Sequence, residues 1–538
     1  SLYAEYQIIK DLRYRLNVGL EYELQEANQF QGSDTYFRPR AGNTARVSNA
    51  ENWSYTLEHL LMYDKTLAEK HKIGVTALFS AQQSQFHNNF IQKDSINADF
   101  IQFYDLGQSK QSTTNLPIYG GSESKWGLLS YMIRVNYAFQ DKYLITLTGR
   151  RDGSSRLGGK YTNYPAISLG WNISNENFMK SVAVISSLKL RVGWGQTSNQ
   201  SVNTYSTLGG VSSLLNGNRP IRYNYGSQIV QGYFVSTAPN PDLDWEYTRT
   251  LNVGLDFGLL KDRITGSIDW YNAQTDKILY GLALPRSSGL TGSYTANIGE
   301  MENKGVEIQI SSINLDLANG FRWETDLNVF WNRNKLLKLN DGFINNIGNG
   351  LHLGHPLSAI YDYTKLGVWQ TNEADAAAKF GQVPGSLKIA DLNGDGAITA
   401  LDRSVIGNAQ ADWQGGLTNR FSYKGFDLSV IAYMRFGGLL TSGVHAPLAG
   451  YVTENNGRRN QIKVDYWTPE NPTNQFPKPG TVYPAGNSWT TLAYYDASFV
   501  KIRSINFGYT FTQNILDKLK MRSLRLYFTA QNPFLLFS

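Results

Sequence analysis

Apolar and polar residues alternate with a period of two over many short stretches of this chain. Between positions 251 and 259 every second residue is apolar, and the residues between them are polar or glycine. Lys261 and Asp262 then turn the chain, and the alternation resumes over 263–272. Because successive side chains of a strand point to opposite faces, this stretch predicts an antiparallel hairpin with one apolar and one polar face.

The pattern recurs and predicts eight hairpins, or about 16 strands. Their expected strands are 3–9 and 12–25, 55–63 and 72–84, 127–138 and 143–151, 165–172 and 187–196, 249–259 and 263–272, 305–312 and 321–332, 416–423 and 426–436, and 498–511 and 522–531. Turns inside hairpins are mostly short, as at Lys10-Asp11 and Lys424-Gly425. Connections between hairpins are mostly long, at 85–126, 197–246, 333–415 and 437–497.

The difference in loop length decides between two kinds of β protein. Alternation alone also fits a string of soluble β-sandwiches, but compact soluble domains rarely carry loops of about 40 to 80 residues. Outer-membrane barrels have short periplasmic turns and long outer loops. Trp323 and Trp331 share a strand face about 26 Å apart, which covers ~20 Å of membrane at a tilt of about 40°. We therefore predict an all-β, transmembrane antiparallel β-barrel with long extracellular loops.

Composition narrows the class without changing this fold prediction. The 538 residues include 33 Tyr, 25 Phe and 12 Trp but no Cys, which excludes disulfides and thiolate metal sites. The mean hydropathy of −0.36 still fits a barrel, because only every second strand residue meets lipid. No apolar run is long enough for a transmembrane helix. The net charge of +6, without a basic cluster, argues against nucleic-acid binding.

Short motifs along nearly the whole chain resemble the barrel of the SusC/RagA family, the TonB-dependent outer-membrane transporters of Bacteroidota. They occur in the family's order. The motifs are 134–137 (RVNY), 150–155 (RRDGSS), 164–171 (YPAISLGW), 188–191 (LKLR), 195–200 (GQTSNQ), 243–246 (LDWE), 297–300 (NIGE), 302–307 (ENKGVE), 499–503 (FVKIR) and 524–532 (LRLYFTAQN).

The resemblance implies a barrel of the 22-stranded type that follows a signal peptide, an energy-coupling box and a plug domain. About 16 strands are visible here, so we expect 1–538 to be a partial outer-membrane β-barrel without the plug domain, the early strands and the C-terminal strands. It also implies a multi-pass protein of the bacterial outer membrane, surrounded by lipid. The implied partners are a SusD-like surface lipoprotein and TonB, which would act through the absent N-terminal region.

Residues 391–402 follow the logic of an EF-hand or dockerin-like calcium loop within the 333–415 extracellular loop. Side-chain oxygens of Asp391, Asn393 and Asp395 stand at loop positions 1, 3 and 5, and Gly396 permits the sharp turn at position 6. The remaining expected ligands are Ala397 through its carbonyl, Thr399 through water, and Asp402 in place of a bidentate Glu. The expected cofactor is structural Ca²⁺ that braces an outer loop, with Mg²⁺ or a metal-free turn as the alternatives.

Catalytic chemistry is not indicated, and we predict that the protein is not an enzyme. The sequence has no nucleophile motif, no Walker-type loop and no dinucleotide-binding fingerprint. We interpret His352 and His355 as ordinary loop histidines rather than as a metal-binding pair. Several carboxylates on the polar strand faces suggest the lining of a wet lumen. They are Asp256, Asp269, Glu307, Glu324 and Asp326. Aromatic residues of the long loops are a plausible substrate surface, and we name none of them as a site.

The resemblance implies an importer of oligosaccharides or oligopeptides that acts with a SusD-like lipoprotein, so glycans or peptides are the expected substrates. One alternative is a SusC-like structural subunit of a larger outer-membrane complex for secretion or barrel assembly. A second is a siderophore-type TonB-dependent receptor. A passive porin is the third, and it predicts open conductance in lipid bilayers.

Overall fold

The computed structural model describes residues 2–35, 42–110, 116–213, 215–216, 219–284, 286–289, 293–339, 345–347, 350–443, 445, 463–481 and 488–538. Regular structure in these ranges is almost entirely β. The two α-helices described are Ala374–Lys379 and Gln513–Leu519. Single 3₁₀ turns lie at Asp99–Ile101, Ile173–Asn175, Asn177–Met179, Arg286–Ser288, Thr371–Glu373, Ala400–Asp402 and Ser488–Ala493. Within the described ranges, no helix has the length and apolar character needed to span a membrane.

Sixteen strands form one sheet, and their order across the sheet is their order along the chain. The strands are Leu2–Ile9, Leu12–Gln31, Thr44–Leu67, His71–Asp94, Ile118–Phe139, Tyr143–Ser154, Tyr161–Asn172, Ile185–Asn199, Glu246–Leu259, Ile264–Asp276, Glu300–Asp316, Arg322–Lys338, Trp413–Tyr423, Phe426–Phe436, Phe499–Thr510 and Arg525–Phe537. Neighbours pair antiparallel, as in the first three registers along the chain. The predicted all-β class and the eight predicted hairpins are confirmed.

The long connections carry short two-stranded sheets of their own. The paired strands are Gly210–Ser213 with Tyr233–Thr237, Leu215–Asn216 with Arg219–Pro220, Arg222–Tyr225 with Gln228–Gln231, Leu279–Ala283 with Ser293–Asn297, Asn345–Asn346 with Leu351–His352, Ala359–Tyr363 with Arg403–Asn408, Lys365–Val368 with Leu387–Ile389, and Leu439–Thr441 with Tyr494–Asp496. All of them lie at the end of the sheet opposite the short turns, so the predicted asymmetry of loop length holds.

Several strands run farther toward the long loops than the sequence predicted. The predicted strand 72–84 extends to Asp94, and the predicted strand 127–138 begins at Ile118. The connection predicted at 85–126 is therefore shortened to 95–117. The added segments mix polar and apolar residues on each face, as in residues 85–94, so they lack the regular alternation that marks a strand in lipid. Strand pairing in water needs no apolar face, because its backbone hydrogen bonds are satisfied within the sheet.

The chain divides into two compact units, each described by itself. Unit 1 comprises Ser1–Trp171, Val192–Thr250 and Thr275–Ile298, and unit 2 comprises Asn172–Arg191, Leu251–Gln274 and Gly299–Ser538. In unit 1, one row of side chains in register on the apolar face is aromatic and lies beside the short turns. The row is His71, Phe139, Tyr143 and Trp171. Such a row is typical of the girdle at a membrane interface.

Unit 2 carries two aromatic pairs at opposite ends of its apolar face. Trp323 stacks on Phe421 with ring centroids 5.8 Å apart, and Trp331 lies 6.4 Å from Trp413. The two pairs are eight positions apart on both strands, since 331 − 323 and 421 − 413 are both 8. This spacing matches the predicted spacing of two girdles across the apolar band.

The opposite face of unit 2 is polar and ion-paired. Arg191 binds Asp256 at 2.7 Å and Asp269 at 3.0 Å, and Arg420 forms an ion pair with Asp326. Asp326 also accepts a hydrogen bond from a neighbouring serine at 2.6 Å. Charge-assisted hydrogen bonds of this kind hold the carboxylates in their ionised form, and the hydrated lining expected from the sequence stays a prediction.

Neighbouring positions on one strand test which face meets lipid. Leu147 lies midway along the apolar face of Tyr143–Ser154, whereas the Thr146 hydroxyl donates to Asn136 on the polar face. We expect Leu147→Arg to lower the free energy of unfolding by about 2–4 kcal/mol, because it places a charge in hydrocarbon. Thr146→Arg should lower the free energy of unfolding much less, because this position lies on the polar face. Urea unfolding of the two variants from lipid vesicles measures these changes. An equal loss of unfolding free energy in both variants would contradict the assignment of the faces.

Candidate calcium loop and outer-loop surface

Two short sheets frame the loop that the sequence singled out. Ala359–Tyr363 pairs with Arg403–Asn408, and Lys365–Val368 pairs with Leu387–Ile389. The loop 391–402 runs from the end of one sheet to the start of the other. Any change in its shape therefore acts directly on both sheets.

A buried apolar core holds these sheets against the following outer loop. The core contains Tyr363, Leu387 and Ile389 from the first loop, and Phe476 and Leu492 from the second. Burying side chains of this size stabilises a packed unit by about 1.5–3 kcal/mol each. The described parts of the two long loops therefore share one apolar core.

A buried carboxylate ties the same two loops together. Asp362 is 4% exposed and accepts hydrogen bonds from the hydroxyl of Thr490 and, at 2.7 Å, from that of Tyr494. Burial and the hydrogen bond to Asp362 raise the pKa of the Tyr494 phenol, so this proton stays in place at neutral pH. No sequence motif predicts this link, because Asp362 lies more than a hundred positions before both Thr490 and Tyr494.

The first half of the loop 391–402 is a series of tight turns closed by side-chain oxygens. Gly394 and Gly396 have φ of +74° and +82°, a region that glycine enters without strain. The Asp391 carboxylate accepts from the N–H of Gly394 at 2.7 Å and from that of Gly396 at 2.9 Å. Gly396 thus makes the turn that the calcium-loop pattern requires.

Positions 3, 5 and 7 of the loop are linked in the same way. The Asn393 side-chain oxygen accepts from the Asp395 N–H at 3.1 Å, and the Asn393 amide donates to Asp395 at 2.8 Å. Asp395 also accepts from the N–H of Ala397 at 2.8 Å. These residues are exposed, so water and ions can reach their oxygens.

Asp402 closes the loop from inside. It is fully buried, and its carboxylate accepts from the N–H of Leu392 at 2.8 Å and of Thr399 at 2.7 Å. Burial by itself would raise the pKa of Asp402, but hydrogen bonds from Thr399, Leu392 and Asn393 hold that pKa below its ordinary value. Thr399 in turn accepts from the N–H of Leu401 and caps the following 3₁₀ turn.

The donor set is oxygen throughout, which is the chemistry that a hard cation such as Ca²⁺ takes. Within the described ranges, no three His, Cys, Asp or Glu side chains are placed together to hold a metal ion. In this structure the oxygens of the loop bind its own backbone N–H groups. The residues fit an oxygen-liganded cation by type and spacing, and calcium stays a prediction.

The remaining candidates, the loop histidines and the loop aromatics, include both buried and exposed side chains. His352 is buried and stacks on Tyr361 with ring centroids 4.6 Å apart. Trp467 is 3% exposed and donates to Gln370 at 2.8 Å, so it packs a loop and offers no surface. The loop tyrosines that do face solvent are Tyr205, Tyr223, Tyr225 and Tyr233. Tyr483 and the side chain of Trp489 lie outside the described residues.

The chain matches the family model for the TonB dependent receptor-like β-barrel over residues 1–532. It is 29% identical to TonB-dependent receptor P3 of Formosa agariphila, over 99% of this chain and 53% of that protein. It is 27% identical to TonB-dependent receptor SusC of Bacteroides thetaiotaomicron, over 99% of this chain and 51% of that protein. The chain thus spans about half the length of these curated relatives.

The fold agrees with a solved structure described as the RagAB peptide transporter. The TM-score is 0.82 at 21% identity, over the whole of this chain and 57% of that one. The resemblance to SusC and RagA and the outer-membrane location expected from the sequence are confirmed. The chain therefore belongs to the family of TonB-dependent receptor-like β-barrels.

Proposed function

We propose that the protein is a SusC-like importer that takes up oligosaccharides or oligopeptides together with a SusD-like surface lipoprotein, driven through TonB. The observation that carries this proposal is the match to the family over almost the whole chain. A relative named SusC and a fold neighbour named as a peptide transporter support import with a partner. No covalent bond is made or broken in this function.

The outer loops offer a surface that suits sugar rings and peptides. In unit 1, the hairpin Arg222–Tyr225 with Gln228–Gln231 is exposed on every residue, and Tyr225 is 81% exposed. Tyr223 lies across Gly232, where a Cβ would come within 2.3 Å of its ring. Rigid aromatic faces of this kind stack on apolar sugar faces and hold peptide side chains.

We further propose that Ca²⁺ binds the loop 391–402 and braces the joined outer loops. Asp391, Asn393 and Asp395 would hold the ion with the carbonyl of Ala397 and a water on Thr399. Asp402 would complete the set from inside the loop. Ile398 of the loop packs against the core that joins the two outer loops, so bound calcium would stiffen that core as well.

Removal of the exposed tyrosines tests the import proposal. Each aromatic contact is worth about 0.5–1.5 kcal/mol, so Tyr223→Ala with Tyr225→Ala should lower uptake of the cargo about tenfold. Tyr6→Ala is the control, since Tyr6 is 68% exposed but lies beside a short turn. Uptake is followed with labelled oligosaccharide and oligopeptide mixtures in cells that carry the full-length protein.

One outcome of the uptake experiment and two further measurements would contradict this import proposal. Unchanged uptake in cells that lack the protein altogether would remove its transport role. Open conductance of the purified full-length protein in planar bilayers would identify a passive porin instead. Iron-chelate uptake that depends on the protein would favour the siderophore receptor.

Removal of two acidic groups tests the calcium proposal. Calcium at ten times its dissociation constant should slow hydrogen exchange of residues 387–408 about tenfold relative to chelator. Asp391→Asn with Asp395→Asn should abolish this difference. Asp375→Asn should leave it intact, because Asp375 is exposed on the nearby helix Ala374–Lys379. Equal exchange in calcium and chelator for the parent protein would refute the proposal.

A further inference from the structure

The apolar face of unit 1 has a second row of side chains, eight positions from the aromatic row beside the short turns. This upper row, in register across four strands, is Phe79, Tyr131, Arg151 and Asn163. Eight residues at ~3.3 Å each and a tilt of about 40° place it ~20 Å farther toward the long loops. That height is the outer edge of the apolar band, where a second aromatic girdle is expected.

Two of these four positions are polar instead. Arg151 is exposed and points to the lipid side, since it is in register with Tyr131 and Asn163 on the apolar face. Among the described residues, no carboxylate pairs with its guanidinium. The charge is held by the ring of Tyr161, whose centroid lies 5.0 Å from the guanidinium carbon. Gly153 permits this arrangement, because a Cβ there would come within 2.4 Å of the Tyr161 ring.

A groove opens directly below Arg151 on the same face. In the next row down, Ile133, Gly149 and Pro165 are in register, and Gly149 has no side chain. The resulting cavity has a volume of about 580 Å³ and is bordered by Tyr131, Arg151 and these three residues. A second cavity shares Ile133, Gly149 and Pro165 and continues the groove toward the middle of the membrane.

We propose that this groove binds one phosphorylated, acylated lipid of the outer leaflet, of the lipid A type. Arg151 would bind the phosphate, assisted by the phenol of Tyr131 and the amide of Asn163. An acyl chain would run down the groove over Gly149 and Pro165. An unpaired cation at headgroup height above an apolar groove complements a molecule with an anionic head and a hydrocarbon tail. The site is independent of the import function, because it lies on the lipid side of the sheet.

Matched variants can separate the effect of the Arg151 charge from the effect of the groove. Arg151→Gln removes the cation, and Arg151→Lys retains it. Gly149→Leu adds an apolar side chain to the groove, and its Cβ would meet only Ile133, at 3.9 Å. Arg134→Gln is the control for net charge, since Arg134 lies on the polar face and bonds Thr148. Heat-modifiable migration on gels confirms that each variant is folded.

Native mass spectrometry of the full-length protein in detergent tests the proposal with purified diphosphoryl lipid A and its dephosphorylated form. The parent protein and Arg134→Gln should bind the phosphorylated form at least about tenfold more tightly, as expected for charge-assisted hydrogen bonds. Arg151→Gln should lose that preference, Arg151→Lys should keep most of it, and Gly149→Leu should weaken both forms alike. Two outcomes would overturn the proposal. They are an undiminished preference in Arg151→Gln and equal Arg151-dependent binding of phosphatidylglycerol.

Discussion

Hydrogen bonding of the strand backbone in lipid is the constraint on which this structure depends. Hydrocarbon offers no partner to an N–H or C=O group, so each spanning strand must pair with neighbours on both sides. Fourteen of the sixteen strands have partners on both sides, in chain order, and the two edge strands of the described sheet, Leu2–Ile9 and Arg525–Phe537, each have one. Once the backbone is satisfied, side chains are free to differ by face, apolar toward lipid and ion-paired on the other side.

Outside the membrane, water can hydrogen-bond the backbone, so the outer loops do not depend on strand pairing. Packing of apolar side chains holds them instead. There the chain builds a small soluble core from two loops, centred on Tyr363, Leu387 and Phe476. Asp362 and Asp402 are both buried in this region and are satisfied by hydroxyl or backbone donors. A buried carboxylate left without donors would cost several kcal/mol, so these bonds fix the loops in one arrangement.

Much of the sixteen-stranded sheet could be predicted, because contact with lipid on one face makes apolar residues recur at every second position of a strand. All eight hairpins were found, and Trp323 and Trp331 each pair with an aromatic ring of the neighbouring strand, as two girdles would require. The extensions of the strands up to Asp94 and from Ile118 were missed, because strands in water carry no apolar stripe. In the outer loops, the glycine turn at Gly396 follows from a local motif. The contacts of Asp362 with Thr490 and Tyr494 depend on tertiary packing and leave no local signal.

The function proposed for this β-barrel is import together with a surface lipoprotein. The most direct measurement is purification of the full-length protein, tagged at its native level, from outer membranes, followed by quantitative mass spectrometry. We expect recovery of a SusD-like lipoprotein in about the same molar amount as the tagged protein. Recovery of secretion or barrel-assembly components without such a lipoprotein would contradict it and identify a structural subunit instead.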